Sequence, residues 1–286
     1  PPRSTLFPYT TLFRSPEQRM FQRVVRDFAE ADLAPHAAQI DHTGELHWPA
    51  IRKMPELGLL GMQVPEEYGG AGMDTISASI AVEELGRVCG STALSVSAHN
   101  GLCCGPITRW GTPAQKEKYL PKLVSGSVLG SLALTEPNAG SDLMSARTFA
   151  AREGDQYVIN GAKAWITNAG LAPVIVTFLR TDKEAGTRGF SHLLVEPGTP
   201  GLTIHPPEKK MGLKGSPTHM ISYDGVRVPA ENVLGTVGRG FQQTMETLDS
   251  GRISIGALSV GLAQGAFEAA VKYAKQREAF GQKIAD

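Results

Sequence analysis

Four short segments hold the residue types that could do chemistry. The first is Leu132-Ala133-Leu134-Thr135-Glu136-Pro137-Asn138-Ala139-Gly140-Ser141-Asp142. Its proline and glycine force an irregular loop. Backbone N–H groups and the hydroxyls of Thr135 and Ser141 could then meet the flat polar edge of a ligand. A plain connection between strands fits the same residues equally well. The second is Trp165-Ile166-Thr167-Asn168, where an indole could stack on an aromatic ring and Thr167 could hydrogen-bond its rim. A core tryptophan at the end of a barrel is the competing reading. In the third, Asp249-Ser250-Gly251-Arg252, a glycine breaks a helical stretch at a cost of about 1 kcal/mol relative to alanine. Close approach of a backbone or a ligand would explain it, and so would local packing. The fourth, Arg277-Glu278-Ala279-Phe280-Gly281, would place Arg277 and Phe280 on one face of a helix. A guanidinium fork suits a pyrophosphate; a solvated Arg beside a core Phe is the simpler alternative.

Composition narrows the chemistry. With 28 basic and 28 acidic residues, the chain has no broad field to draw nucleic acid or an anionic membrane. No uninterrupted apolar run reaches the roughly 18 residues of a membrane span. Cys89, Cys103 and Cys104 are odd in number and two are adjacent. That argues against a disulfide framework and for a reducing interior compartment. The histidines and cysteines show no metal-ligand spacing. Walker A, Gly-x-Gly-x-x-Gly and Gly-x-Ser-x-Gly signatures do not occur.

The elements that must position these segments can be read from periodicity. The leading Leu6–Ser15 stretch has neither helical period nor cap. It reads as a common sequencing adapter translated in one frame, so residues 1–15 are set aside as non-native. Residues 16–128 are helical. Phe21, Val24, Val25, Phe28 and Leu33 recur at three- and four-residue steps, a second helix runs from Pro49 to near Gly58, and others cover Thr75 to Val88, Ser91 to Trp110 and Pro113 to Leu123, the last with Thr112 as N-cap. Residues 129–230 change to strand period. Asn160-Gly161 predicts a hairpin turn, and short strands follow at Val174–Leu179, Phe190–Val195, Leu202–His205 and Met220–Tyr223, the spacing of a small antiparallel barrel or sandwich. Residues 238–286 return to a long apolar-rich helix without a partner, the start of a helical bundle.

Together the segments Thr-Glu-Pro-x-Ala-Gly-Ser-Asp, Trp-Ile-Thr-Asn, Asp-x-Gly-Arg and Arg-x-x-Phe-Gly, in this order, resemble the acyl-CoA dehydrogenase family. Pro65-Glu66-Glu67-Tyr68-Gly69-Gly70 and Lys210-Met211-Gly212-Leu213-Lys214-Gly215-Ser216 resemble two further signatures of that family, and the region around Leu248–Arg252 is most similar to its short-chain members. The resemblance implies an α+β fold: an N-terminal helical domain, a central antiparallel β-barrel domain and a C-terminal helical bundle. It implies FAD as cofactor and an acyl-CoA thioester, around butyryl-CoA, as substrate. Leu132, Ala133, Leu134, Thr135, Gly140 and Ser141 would line the flavin, Trp165 would cover its ring, and Ile166 and Thr167 would meet its edge. Ser141, Phe241, Asp249 and Arg252 would contact CoA. Arg277 and Phe280 would reach the FAD of a neighbour in a homotetramer. A glutamate would take the α-proton while the β-hydrogen leaves as hydride, as in fatty acid β-oxidation, and electrons would pass to electron-transfer flavoprotein. An acyl-CoA oxidase would share the desaturation but reoxidise with oxygen; a scaffold binding CoA esters without turnover would not need Thr135, Trp165 and Thr167. The family's Tyr-x-Gly-Thr-type segment, where the base usually lies, is absent, and Gly251 stands where some members carry the glutamate. No catalytic base is therefore assigned in this chain, which reads as truncated and inactive alone. The expected location is the bacterial cytoplasm, or the mitochondrial matrix in a eukaryote.

Overall fold

The computed structural model describes residues 14–286; Pro1–Phe13, and with them most of the adapter-like stretch, lie outside the described residues. Ser15, set aside with that stretch, caps the first helix, α1 (Pro16–Phe28). Its hydroxyl accepts the Gln18 N–H at 3.2 Å, while its own N–H donates to Gln18 Oε1 at 3.0 Å. This reciprocal arrangement satisfies two donors that a helix start leaves open. The helical layer continues through α2 (Ala37–Thr43), α3 (Trp48–Lys53), α4 (Thr75–Val88), α5 (Gly90–Ala98), α6 (Gly105–Trp110) and α7 (Pro113–Val124). Thr112 caps α7 as expected, in a second reciprocal box with Gln115. The expected helix from Ser91 to Trp110 is broken by a π turn, His99–Cys104. Asn100 in that turn accepts the N–H groups of Gly61 and Met62 at 2.8 and 2.9 Å and donates to Leu59 O at 3.0 Å. The backbone ladder there shifts to the wider π spacing, with Gly105 N–H donating to Asn100 O, while the Asn100 side chain ties the turn to the 59–62 loop, a feature common where helices carry function. Val25, Phe28, Leu33, Ile51, Met54, Leu85 and Val96 form the core of this layer.

The middle of the chain is one curled seven-stranded sheet: β1 (Ser131–Ala133), β2 (Phe149–Glu153), β3 (Gln156–Thr167), β4 (Ile175–Arg180), β5 (Phe190–Val195), β6 (Leu202–Pro207) and β7 (Thr218–Pro229). Pairing is antiparallel except where β1 runs beside β4 and at the single pair Phe149–Arg180. β4 is covered on both faces. Ile175 and Leu179 point into the sheet's own core and Val176 points toward α6 and α7, which is why apolar residues occupy both faces of this strand and only Thr177 interrupts them before Arg180. The Asn160-Gly161 hairpin did not form. β3 runs straight through it, and β2 turns into β3 at Gly154-Asp155 instead. Gly161 has φ +145° and lies so close to Thr148 that a Cβ would meet its Oγ1 at 2.6 Å. The glycine marks a bulge under a crowded crossing, not a turn.

A 35-residue helix, α8 (Gly240–Ala274), then crosses both layers. Its N-terminal turn is bolted to β5. His192 Nδ1 meets Gln243 Oε1 at 3.2 Å, and His192 Nε2 meets Thr244 Oγ1 at 3.1 Å. Farther along, Gly261 and Gly265 sit directly on the backbone of Glu83 and Arg87, where any Cβ would strike a carbonyl oxygen. Arg87 joins Glu268 of α8 at 2.7 Å and also pairs with Glu30. Away from these contacts α8 leaves Ile253, Ile255, Val260, Leu262, Phe267 and Tyr273 partly exposed, on two sides of the helix. By length and composition α8 could cross a membrane, although polar residues interrupt every apolar run in it. The expected helix at Arg277–Phe280 is a tight hairpin of β8 (Glu278–Ala279) and β9 (Gln282–Lys283). Phe280 and Gly281 turn it with φ of +53° and +85°, the pair of left-handed residues such a turn requires.

Two buried histidines make this architecture acid-sensitive. His99 Nδ1 accepts the Gly130 N–H at 2.8 Å, so protonating that nitrogen would set two donors against each other. Burial pulls both His99 and His192 down to about 4 from an ordinary 6.5. The folded state therefore binds fewer protons than the unfolded chain below pH 6.5. Stability is full above that value and falls as pH drops toward 4, by up to about 3 kcal/mol per histidine. Urea midpoints should fall steeply between about pH 6.5 and 4.5 and should recover partly in His99→Gln; a flat profile across that window would contradict this assignment.

Candidate functional site

The Leu132–Ser141 loop and the end of β3 lie side by side. Ala164 N–H donates to Thr135 O at 2.8 Å, and Ser131 Oγ donates to Thr167 O at 2.6 Å. These bonds bring the side chains of Thr135, Trp165 and Thr167 to one face. The hydroxyls of Thr135, Ser141 and Thr167 make no hydrogen bond to any described residue, and Gly140 borders open space. Trp165 is 59% exposed with φ +61°, a conformation a large side chain rarely adopts without constraint. A register shift between β3 and β7 falls across Lys163–Ile166. In a regular strand Lys163 and Trp165 would share a face; the bulge points Lys163 inward and Trp165 outward. Unspent hydroxyls beside an exposed indole fit a flat aromatic ligand with a polar rim, as FAD's isoalloxazine is. Ala133 and Ile166 are buried in the sheet core, so only their backbones could face such a ligand.

Beside this face is an apolar cavity of about 340 Å³. Leu94, Ser97 and Ala98 of α5, Gly101 and Leu102 of the π turn, and Leu248, Gly251, Arg252, Ser254 and Ile255 of α8 line it. Leu102 packs against the same core cluster as Leu134, one that includes Leu132, and Leu248 packs with Leu134 against the cluster of Ala139, Leu143, Phe178 and Phe190, so the cavity abuts the loop. Gly251 is thus a wall of a cavity, one of the two readings its sequence allowed. Asp249 and Arg252 are 72% exposed and paired with each other at the cavity's edge. Phe241 lies under the loop, its ring 6.3 Å from that of Phe190. Among the described residues, none of the cavity-lining side chains is a carboxylate. A second, more open hollow of about 460 Å³ adjoins Met144 and is ringed by Ser145, Ala146, Arg147, Arg180 and Lys183. Arg180 is held by the carbonyls of Ala146 and Met144 at 2.8 and 2.5 Å, while Arg147 and Lys183 are exposed.

Glu136 is withdrawn from any such chemistry. Its carboxylate accepts from Lys163 Nζ at 2.9 Å and from the N–H groups of Arg147 and Thr148 at 2.6 and 3.0 Å. Burial pushes its pKa up, but Lys163 and the Arg147 N–H more than offset this and hold it below the ordinary carboxylate range. Arg277 and Phe280 are not brought to the site. From Leu248 to Ala274 α8 runs 26 residues, about 39 Å, and their hairpin lies beyond its end. The cavity residues of α5 and the π turn, and the cations Arg147, Arg180 and Lys183, were not among the residues expected from the sequence. Only the small residues around Gly101 hinted at space there, and the cations are scattered along the chain.

Comparison with known proteins adds a family-level finding. The acyl-CoA dehydrogenase N-terminal, middle and C-terminal domain models match residues 15–127, 131–226 and 238–286. A probable acyl-CoA dehydrogenase, YngJ, of Bacillus subtilis is 52% identical over 94% of this chain and 71% of its own length. Butyryl-CoA dehydrogenase of Megasphaera elsdenii superposes with a TM-score of 0.90 at 42% identity, over 96% of this chain and 72% of that one. A chain from the solved structure of the electron transferring flavoprotein of Acidaminococcus fermentans superposes with a TM-score of 0.92, also at 42% identity, over 96% of this chain and 72% of that one.

Proposed function

The chain belongs to the acyl-CoA dehydrogenase family, and from that premise we propose that its site serves FAD-dependent α,β-dehydrogenation of short-chain acyl-CoA thioesters to trans-2-enoyl-CoA. The observation that carries this reading is the small apolar cavity set against a face of free hydroxyls and an exposed indole. Trp165 would stack on the isoalloxazine, and Thr135 and Thr167 would hydrogen-bond its rim. FAD, when bound, supplies the hydride acceptor. Leu94, Leu102, Leu248 and Ile255 would enclose the acyl chain and exclude water. Phe241, Met245 and Leu248 offer an apolar track for the pantetheine arm, and Ser141 a hydroxyl beside it. Arg252 stands at its edge, and Arg147, Arg180 and Lys183 would meet the CoA phosphates.

The α-proton needs a carboxylate in a dry pocket. The cavity has none and Glu136 is committed to Lys163, so we place the base in sequence outside residues 14–286. The partly exposed apolar side chains of α8 mark where further bundle helices would close the cavity. Arg277 and Phe280, about 39 Å beyond the site along α8, would serve the flavin of another subunit in a homotetramer. The likeness to the Acidaminococcus fermentans chain supports electron-transfer flavoprotein as the electron acceptor. A cytoplasmic or matrix enzyme of fatty acid β-oxidation is the setting this implies.

The cofactor part is tested on the natural gene product, meaning this chain with whatever flanks it at its genomic locus. It should take up one FAD per chain and turn yellow. Trp165→Ala should weaken FAD binding about 2- to 10-fold, the range expected for one aromatic stack. A protein that stays colourless and cannot be reconstituted would refute the reading.

A further inference from the structure

The geometry points to Glu136 and Lys163 as positioning residues that register the two cofactor-facing segments against each other; the inference rests on the cofactor reading above. Lys163 is fully buried in the middle of β3, and Glu136 is 4% exposed. Lys163 Nζ donates to Leu134 O at 3.0 Å and to Glu136 Oε1 at 2.9 Å, and lies 5.5 Å from the centre of the Phe178 ring. The next residue of β3, Ala164, donates its N–H to Thr135 O at 2.8 Å. Every residue from Leu134 to Glu136 is therefore tied to the Lys163–Ala164 step. The same step opens the bulge that turns Trp165 outward. On its other side, the Glu136 carboxylate accepts the N–H groups of Arg147 and Thr148, which fixes the far end of the loop.

A plain salt bridge in a sheet would not need this layout. Two buried ions are costly, and an apolar pair of similar volume is often as stable. What an apolar pair cannot do is hold one loop carbonyl, three backbone segments and a bulge in a single arrangement. Thr135 on the loop and Trp165 with Thr167 on the strand must grip one rigid ring between them, and their relative placement is set at this pair.

The test separates positioning from stability. In the natural gene product, Glu136→Gln combined with Lys163→Met removes both charges, so no buried ion is left alone. We expect this double variant to melt close to the parent, yet to bind FAD about tenfold more weakly, as for loss of one well-placed hydrogen bond. Its bound flavin should also show a shifted visible spectrum. Parent-like affinity and spectrum in the double variant would overturn the proposal and leave the pair a structural strut. Should the double variant not fold, Glu136→Asp, which keeps both charges but draws the carboxylate back from Lys163, is read by the same two measurements: weakened binding with a changed spectrum supports positioning, and parent-like values overturn it. A parent without FAD affinity would overturn this inference and the cofactor reading together, whereas a parent that binds normally beside an unaffected variant overturns only this one.

Discussion

A chain confined to residues 14–286 is expected to turn over butyryl-CoA at least about 10² to 10⁴-fold more slowly than the natural gene product, the usual contribution of a positioned general base. Among the described residues, the cavity that would hold the acyl group has no carboxylate in its lining. Glu136, the acidic residue of the neighbouring loop, is locked by Lys163 and two backbone donors. A second deficit has a separate physical cause. Six large side chains on α8 are 40–59% exposed, each forgoing about half of the roughly 1.5–3 kcal/mol that full burial contributes, against a domain stability of only about 5–15 kcal/mol. The confined chain should therefore also aggregate or hold FAD weakly, while the sheet keeps its own core. Assaying both proteins side by side with an artificial electron acceptor decides the matter. Equal rates would show that a base lies within these residues after all.

Removing one partner of the buried ion pair should be far more damaging than removing both. Lys163→Met strands the Glu136 carboxylate in the sheet, facing only two N–H groups. Breaking such a pair costs about 3–5 kcal/mol, a large share of a typical total. The double replacement with Glu136→Gln should restore most of that loss. Thermal melts of the two single variants and the double variant form a cycle whose coupling exposes the pair directly. Additive losses in that cycle would mean that Lys163 and Glu136 do not depend on each other, contrary to the 2.9 Å contact between them.

What the sequence disclosed follows from which forces are local. Caps are local, so Thr112 at α7 could be read directly. The order of helices, strands and helix follows from periodicity, and the Thr135 and Trp165 segments could be singled out because hydroxyls, glycine and an indole cluster within a few residues. The failures share the opposite cause. Asn160-Gly161 has strong turn chemistry, but β7 pairs along the whole of β3, and the crowding of Gly161 on Thr148 required a glycine for another reason. Arg277 and Phe280 have helical spacing, yet the φ values of Phe280 and Gly281 decide for a hairpin. The π turn at His99–Cys104 depends on Asn100 reaching the 59–62 loop, a contact 38 or more residues away in sequence that no local pattern encodes. Glu136 and Lys163 are 27 residues apart, and each alone reads as an ordinary surface charge. The cavity is likewise invisible in any one segment, because its walls come from α5, the π turn and α8 together.

The central claim is that this site removes hydrogen across the Cα–Cβ bond of a short acyl-CoA. Its most direct test is anaerobic mixing of the flavin-loaded natural gene product with acyl-CoA thioesters of increasing chain length, following the flavin's visible absorbance and the thioester product. Rapid bleaching with butyryl-CoA, with one enoyl-CoA formed per flavin and slower responses for long or branched chains, is the predicted result. A flavin that stays oxidised with every thioester, or bleaches without any enoyl-CoA being formed, would contradict the account.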